Sequence, residues 1–319
     1  MWKKVALPIV VMIFFAGCRS TIEVPLGLPT PPGPAPATPV AKLEFKRDAE
    51  LEKKFARIAE DAKGRVGVAA VVLETGEAAF LSADEHYPMQ SVYKLPIAMA
   101  MMEEIRLGRH DLDETIGVTK EDMVRLGQAS ALRDKNPEGG EFTIRELMRL
   151  TLVESDGTAS DVLLHVLGGA SVVQSYLTQI GIEDMKIINT EKEIGRDWET
   201  QYDNWATPMA AMELLASMRD WGQGDDYKEL ILHRFMFDSV RGVTRLKGLL
   251  PKGTNVAHKT GTGGTQNGIT SATNDIGIVW LPNGKHLAIA VFVSDSSADE
   301  KSREAVIAKI AKVAWDRWN

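Results

Sequence analysis

Only one cysteine, Cys18, stands among the 319 residues of this chain, so no intrachain disulfide forms and the fold must rest on its core. Metal chemistry has little footing. The six histidines show no spacing such as HExxH that would put ligands on one helix face, which disfavours a zinc hydrolase. No metal or cofactor is implied. A basic excess is missing too: Lys and Arg are scattered, the net charge is −7 and the pI about 5.5. No electrostatic footprint for nucleic acid results. No apolar run reaches the roughly 20 residues that span a bilayer, and there is no internal repeat.

What is present begins with a processing signal. Lys3 and Lys4 precede an apolar run from Val5 to Gly17, which closes with Phe15-Ala16-Gly17-Cys18. Small residues before a lone cysteine resemble the lipobox of bacterial lipoproteins. The resemblance implies that Cys18 is diacylated, becomes the mature N-terminus and anchors a periplasmic protein to a membrane. The alternative is an ordinary secretory signal with an incidental Cys. Pro25 to Pro39 reads PLGLPTPPGPAPATP, a tract that favours extended polyproline geometry and acts as a semi-rigid spacer. Residues 1–18 are thus read as signal, 19–42 as linker and 43–319 as the folded domain.

Apolar residues make up 44% of the chain, enough to core one large domain or two modest ones. Residues 43 to 63 predict a helix, with Leu43, Leu51, Phe55, Ile58 and Ala62 on one face and Gly64 as a stop. Strands are expected at Val66 to Leu73 and Ala78 to Leu81, joined through Glu74-Thr75-Gly76-Glu77. Ser91 to Ile105 reads as a buried helix rich in Ala and Met. Helical periodicity then dominates to about residue 240, most clearly at Thr143 to Val153 and Thr158 to Val166. Strand character returns at Asn255 to Thr262, Asp275 to Trp280 and His286 to Val293, with Leu281-Pro282-Asn283-Gly284 as a turn. A last helix is expected near the capping pair Ser297 and Glu300, burying Ile307, Ile310, Ala314 and Trp318. The fold class is α/β. An antiparallel five-stranded sheet built from both ends (43–86 and 241–319) is flanked by terminal helices, beside an all-α lobe (87–240). A cleft where lobes meet is a favoured place for a site.

Four short motifs carry chemistry. Ser91-Val92-Tyr93-Lys94 places a hydroxyl and an amine at i and i+3, on one helix face. Ser91 sits near a helix N-terminus, where free N–H groups favour a developing oxyanion, and a lysine in apolar surroundings can act as a base. Ser155-Asp156-Gly157 offers a second hydroxyl able to protonate a leaving nitrogen, with Asp156 as a helix-start residue; taken alone it is a plain cap. Glu191 lies in the poorly periodic stretch Asn189 to Asn204, where one carboxylate can activate a water; Glu193 is its bland competitor. Lys259-Thr260-Gly261-Thr262 lies in a strand pattern and offers a cation, hydroxyls, a glycine that permits close approach, and the Thr262 N–H as an oxyanion donor.

In this order and spacing the motifs resemble those of class A serine β-lactamases. The resemblance covers nearly all of residues 43–319, including PMQSVYKLPIA around Ser91, Gln201 to Trp205, Thr244 to Gly248 and Asn274 to Gly277. It implies a serine β-lactamase/penicillin-binding-protein-like fold and a monomer acting on small-molecule β-lactams. Ser91 would be the acylated nucleophile, Ser155 the proton relay, Glu191 the activator of the deacylating water, and Lys94 or Glu191 the base of acylation. Lys259, Thr260 and Arg245 would hold the substrate carboxylate, and the N–H groups of Ser91 and Thr262 would form the oxyanion hole. A penicillin-binding D,D-peptidase and a non-hydrolytic β-lactam sensor are the alternatives; Glu191 argues against the first, and the absence of a predicted transmembrane helix or signalling domain against the second. Three positions depart from the family pattern: Gly157 stands where Asn is usual, Asn189 replaces an Arg that braces the loop, and Gly195 replaces an Asn that helps hold the water.

Overall fold

Asp48 starts the first helix. Its carboxylate accepts the N–H groups of Glu50 and Leu51 at 3.1 and 3.0 Å, satisfying two of the free donors of a helix N-terminus. The helix Ala49–Ala59 then buries Leu51 and Phe55. It begins later than the periodicity from residue 43 predicts. Lys46–Arg47 instead forms a short strand parallel to Glu77 and Ala78, because the Lys46 and Asp48 N–H groups donate to Gly76 O and Ala78 O, each at 2.7 Å. The computed structural model describes residues 44–218 and 227–319. Cys18, the apolar run, the Pro-rich tract and Leu43 lie outside the described residues.

The expected antiparallel strands are Arg65–Val72, Glu77–Leu81, Val256–Thr262, Ile269–Trp280 and His286–Ser296. The short strands Lys46–Arg47 and Thr265–Gln266 enlarge the sheet to seven. Pairing of Arg65–Val72 with His286–Ser296, Val72 opposite Leu287, joins the two ends of the chain. Val68, Ala70, Val72, Ile289 and Val291 pack with Leu51, Phe55, Ile307 and Ile310 of the terminal helices. Ala69, Val71, Ala290 and Phe292 pack with Tyr93, Leu95 and Met99 of the helical lobe. With both faces covered, these strands read as continuous apolar runs.

Two boundaries differ from the sequence reading. The strand expected from Asp275 begins at Ile269. Its first half is polar yet buried, so hydrophobic alternation does not register it; Thr273 accepts from Arg303 Nε at 2.8 Å and Asn274 donates to Pro88 O at 2.8 Å. The last helix, Glu300–Trp318, is capped by Asp299, which accepts the Ser302 N–H at 2.7 Å. Ser297 is no cap. Its N–H is drawn to Lys63 O at 3.2 Å.

The helical lobe wraps the helix Lys94–Arg106, buried along nearly its whole length. Thr143 and Glu146 form a reciprocal cap for Ile144–Arg149. The chain then widens into a five-residue π turn, Leu150–Glu154, before Gly157–Val166 begins. Among the described residues no helix is long and apolar enough to cross a membrane, and no group of three or more His, Cys, Asp or Glu is placed to hold a metal.

Candidate active site

The turn that carries Ser91 is held in an uncommon backbone conformation by its neighbours. Gln90 has φ +47°, a left-handed geometry that costs a non-glycine residue on the order of 1 kcal/mol. Its side-chain amide donates to Gln201 Oε1 at 2.8 Å, and Asn274 Nδ2 donates to the carbonyls of Pro88 and Met89 at 2.8 and 3.2 Å. Residues Gln90–Tyr93 form a 3₁₀ turn that leads into the helix from Lys94. Residues three apart eclipse in such a turn, so Ser91 and Lys94 share a face.

Gly261 has a more local reason than the one expected from sequence. A side chain there would collide with Met89 O and crowd Val92. The glycine lets the strand Val256–Thr262 press against the nucleophile's own turn.

Two buried lysines meet at Ser155. The π turn ends with Ser155 at φ +59°. Lys94 Nζ donates to Ser155 O at 2.8 Å, and Lys259 Nζ donates to Ser155 Oγ at 2.9 Å and to Thr260 O at 3.0 Å. Burial, aided by the neighbouring Lys94 charge, holds the Lys259 amine well below the usual lysine range. Lys259 is fully buried, so it acts through Ser155 and Thr260 and not as an open cation.

Glu191 reaches this cluster from the opposite side. One carboxylate oxygen, Oε2, lies 3.0 Å from Lys94 Nζ and accepts the Tyr93 hydroxyl at 2.9 Å. Burial, and then the Glu191 charge, push the Tyr93 phenol well above its ordinary range, so it remains a proton-bearing donor. The Glu191 and Lys192 N–H groups donate to the Asp161 carboxylate at 2.6 and 3.0 Å. Burial raises Asp161 to about 6 against those two hydrogen bonds. Glu193, the competing carboxylate, instead caps its own helix turn by accepting from Thr190.

The neck of the irregular loop closes without an ion pair. Asn204 Oδ1 accepts the N–H groups of Ile188 and Asn189 at 2.8 and 2.9 Å, while its Nδ2 donates to Asn189 O at 2.8 Å. Asn189 in turn donates to Thr200 O and Asp203. A neutral amide pair therefore braces the loop at the position where Arg is usual.

Arg245 is present but engaged. Its guanidinium pairs with Glu304 at 3.0 Å, donates to Gly261 O and Asn274 O at 3.1 and 2.9 Å, and donates to Thr262 Oγ1 at 2.8 Å. It orders the strand edge and the Thr262 hydroxyl from behind. Ser91, Ser155, Glu191, Arg245, Thr260 and Thr262 all line one cleft of about 620 Å³, together with Gln128, Trp198 and Gln201. Lys94, Lys259 and Gly261 sit immediately beneath it. The arrangement provides a nucleophile, two buried amine donors, a relay hydroxyl and a carboxylate poised for water.

Sequence reasoning gave no role of their own to Tyr93, Asp161, Gln128, Gln201, Asn204 and Glu304. Two of them carry a signal. Asp161 is the lone acid in the apolar helix Gly157–Val166, and Tyr93 places a hydroxyl in a turn where all but Ser91 are buried; both require a buried partner.

Residues 50–318 match the sequence profile of the Beta-lactamase enzyme family. Beta-lactamase VEB-1 of Pseudomonas aeruginosa is 37% identical over 268 residues, covering 83% of this chain and 89% of that protein. Extended-spectrum beta-lactamase PER-1 of the same species is 35% identical, covering 83% and 86%. The crystal structure of a beta-lactamase from Chitinophaga pinensis superposes with a TM-score of 0.82 at 39% identity, over 85% of this chain and all of that one.

Proposed function

The chain belongs to the class A serine β-lactamase family, and from that premise we propose that it hydrolyses the β-lactam amide through an ester on Ser91, the activity that confers β-lactam resistance. The observation that carries the reading is the Glu191 carboxylate, lining the cleft with Ser91 while held 3.0 Å from Lys94.

The residues take these parts. Ser91 Oγ attacks the lactam carbonyl and yields its proton to the Lys94–Glu191 pair. The N–H groups of Ser91 and Thr262 receive the developing oxyanion. As the C–N bond breaks, the nitrogen takes a proton from Ser155 Oγ, which is replaced from the Lys94–Glu191 pair with Lys259 donating to the same oxygen, so the pair returns to its starting state. Thr260 and Thr262, ordered by Arg245 and by Lys259 beneath them, form the side that meets the substrate carboxylate. Glu191 then removes a proton from a water that attacks the ester, and Ser91 leaves reprotonated. Each step balances with groups already in the cleft. The test is turnover of a chromogenic cephalosporin by the purified protein, with Ser91→Ala inactive; no turnover by the native chain removes the reading.

The leader supports a location. Lys3-Lys4, the run Val5 to Gly17 and Cys18 favour a lipoprotein carried to the periplasm and anchored by a lipid on Cys18, with Pro25 to Pro39 as the spacer. The Cys18→Ser chain is expected in the soluble fraction after cell lysis; its recovery in the membrane fraction with the native protein would falsify lipid anchoring.

A further inference from the structure

Two small residues face the water-activating carboxylate, and in both cases the space of the absent side chain is taken. A Cβ on Gly157 would stand 2.7 Å from Glu191 Cγ. A Cβ on Gly195 would stand 2.6 Å from Nε2 of Gln128 and 2.7 Å from its Cδ. Gln128 comes from a different part of the chain, the loop preceding the helix Ala131–Lys135. Its amide reaches over Gly195 and donates from Nε2 to Glu191 O, while its Oε1 accepts the Arg125 N–H at 3.3 Å.

The loop that delivers Gln128 is built to stay in place. Arg133 NH1 donates to Gln128 O at 3.0 Å and to Val124 O at 3.2 Å, and also to Arg125 O. The same loop grips the short helix Glu191–Ile194 again through Arg125 NH2, which donates to Lys192 O at 2.7 Å. The backbone of Glu191 is thus clasped from two sides: Asp161 accepts its N–H, and Gln128 donates to its carbonyl.

We infer that Gln128 is a positioning residue for deacylation. Its side-chain amide supplies, from the facing loop, the fixed polar group that Gly195 cannot, and holds the Glu191 turn against the cleft. Gly195 is small because Gln128 fills its side-chain space. Acylation draws on Glu191 through its Oε2, which Lys94 and Tyr93 hold directly, whereas deacylation also needs the turn itself to aim the carboxylate at a water, so Gln128 acts chiefly on the second half-reaction. The inference rests on the hydrolase reading above.

The test measures acylation and deacylation separately on the full chain with a chromogenic cephalosporin, by rapid mixing and by mass spectrometry of the Ser91 ester. Gln128→Met keeps bulk over Gly195 and removes the amide; Gln128→Ala removes both. Both variants are expected to deacylate about tenfold more slowly, with acylation within about twofold of native and ester accumulating. Gly195→Asn with Gln128 in place should also slow deacylation, and Gln128→Gly combined with Gly195→Asn should recover to within about threefold of native. Native deacylation in Gln128→Met overturns the inference while leaving the hydrolase reading intact. So does a fall in acylation equal to that in deacylation, or a double variant slower than both singles. Absence of turnover by the native protein would remove both readings together.

Discussion

Glu191→Gln is expected to leave Ser91 carrying the opened β-lactam. The amide preserves the size of the side chain and an acceptor for the Tyr93 hydroxyl and Lys94 Nζ, now at 2.9 and 3.0 Å from Glu191 Oε2. What it loses is the capacity to take a proton from water. Loss of a positioned general base slows its step by roughly 10²–10⁴-fold, so deacylation should fall by about that factor. Mass spectrometry of the variant mixed with a cephalosporin should show one stable adduct on the Ser91 peptide, where the native protein returns to its free mass within the dead time. The same measurement separates the rival activities. A β-lactam sensor, or a D,D-peptidase inhibited by the drug, would show persistent adducts in native and variant alike.

Legibility in the sequence followed the range of the interactions. Ser91 with Lys94, and Lys259 with Thr260 and Thr262, are set by local periodicity and by motif spacing, and the structure brings them into or beneath one cleft. The sheet was legible wherever strands alternate or run apolar. It failed at Ile269 to Asn274, where a buried strand is polar because its side chains brace the loops: Asn274 holds the Ser91 turn and Ser271 donates to Gln201. The parts that aim Glu191 were hidden for the same reason. Gln90 meets Gln201 across 111 residues, and Gln128 meets Glu191 across 63. Neither contact leaves a pattern in the stretch on either side. The departures at Asn189 and Gly195 marked where the loop would differ. Their replacements, Asn204 and Gln128, became visible only once the chain was folded.

Restoring the usual residue at position 157 should damage the enzyme. In the family pattern Asn is common there, yet in Gly157→Asn the new Cβ would lie 2.7 Å from Glu191 Cγ, 3.2 Å from Ala129 O and 3.3 Å from Val124 Cγ1. The backbone carbonyl of Ala129 is fixed by accepting the Gly157 N–H at 2.8 Å, and Val124 is held by its N–H donating to Thr158 Oγ1 at 3.1 Å. Glu191 is the neighbour best able to move. Overpacking of this kind costs about 1–3 kcal/mol, and relief by swinging the Glu191 side chain breaks its contacts with Lys94 and Tyr93. A displacement near 1 Å lowers a positioned step by about 10²-fold. Gly157→Asn is therefore expected to deacylate about 10²-fold more slowly, to lose less of its acylation rate, in which Lys94 shares the proton, and to unfold at lower urea concentration. The control is Gly157→Ala, which carries the colliding Cβ without the amide and should show most of the same loss. If Gly157→Ala turns over like the native protein, the collision is not what keeps this position small, and the coupling of Gly157 to Glu191 falls.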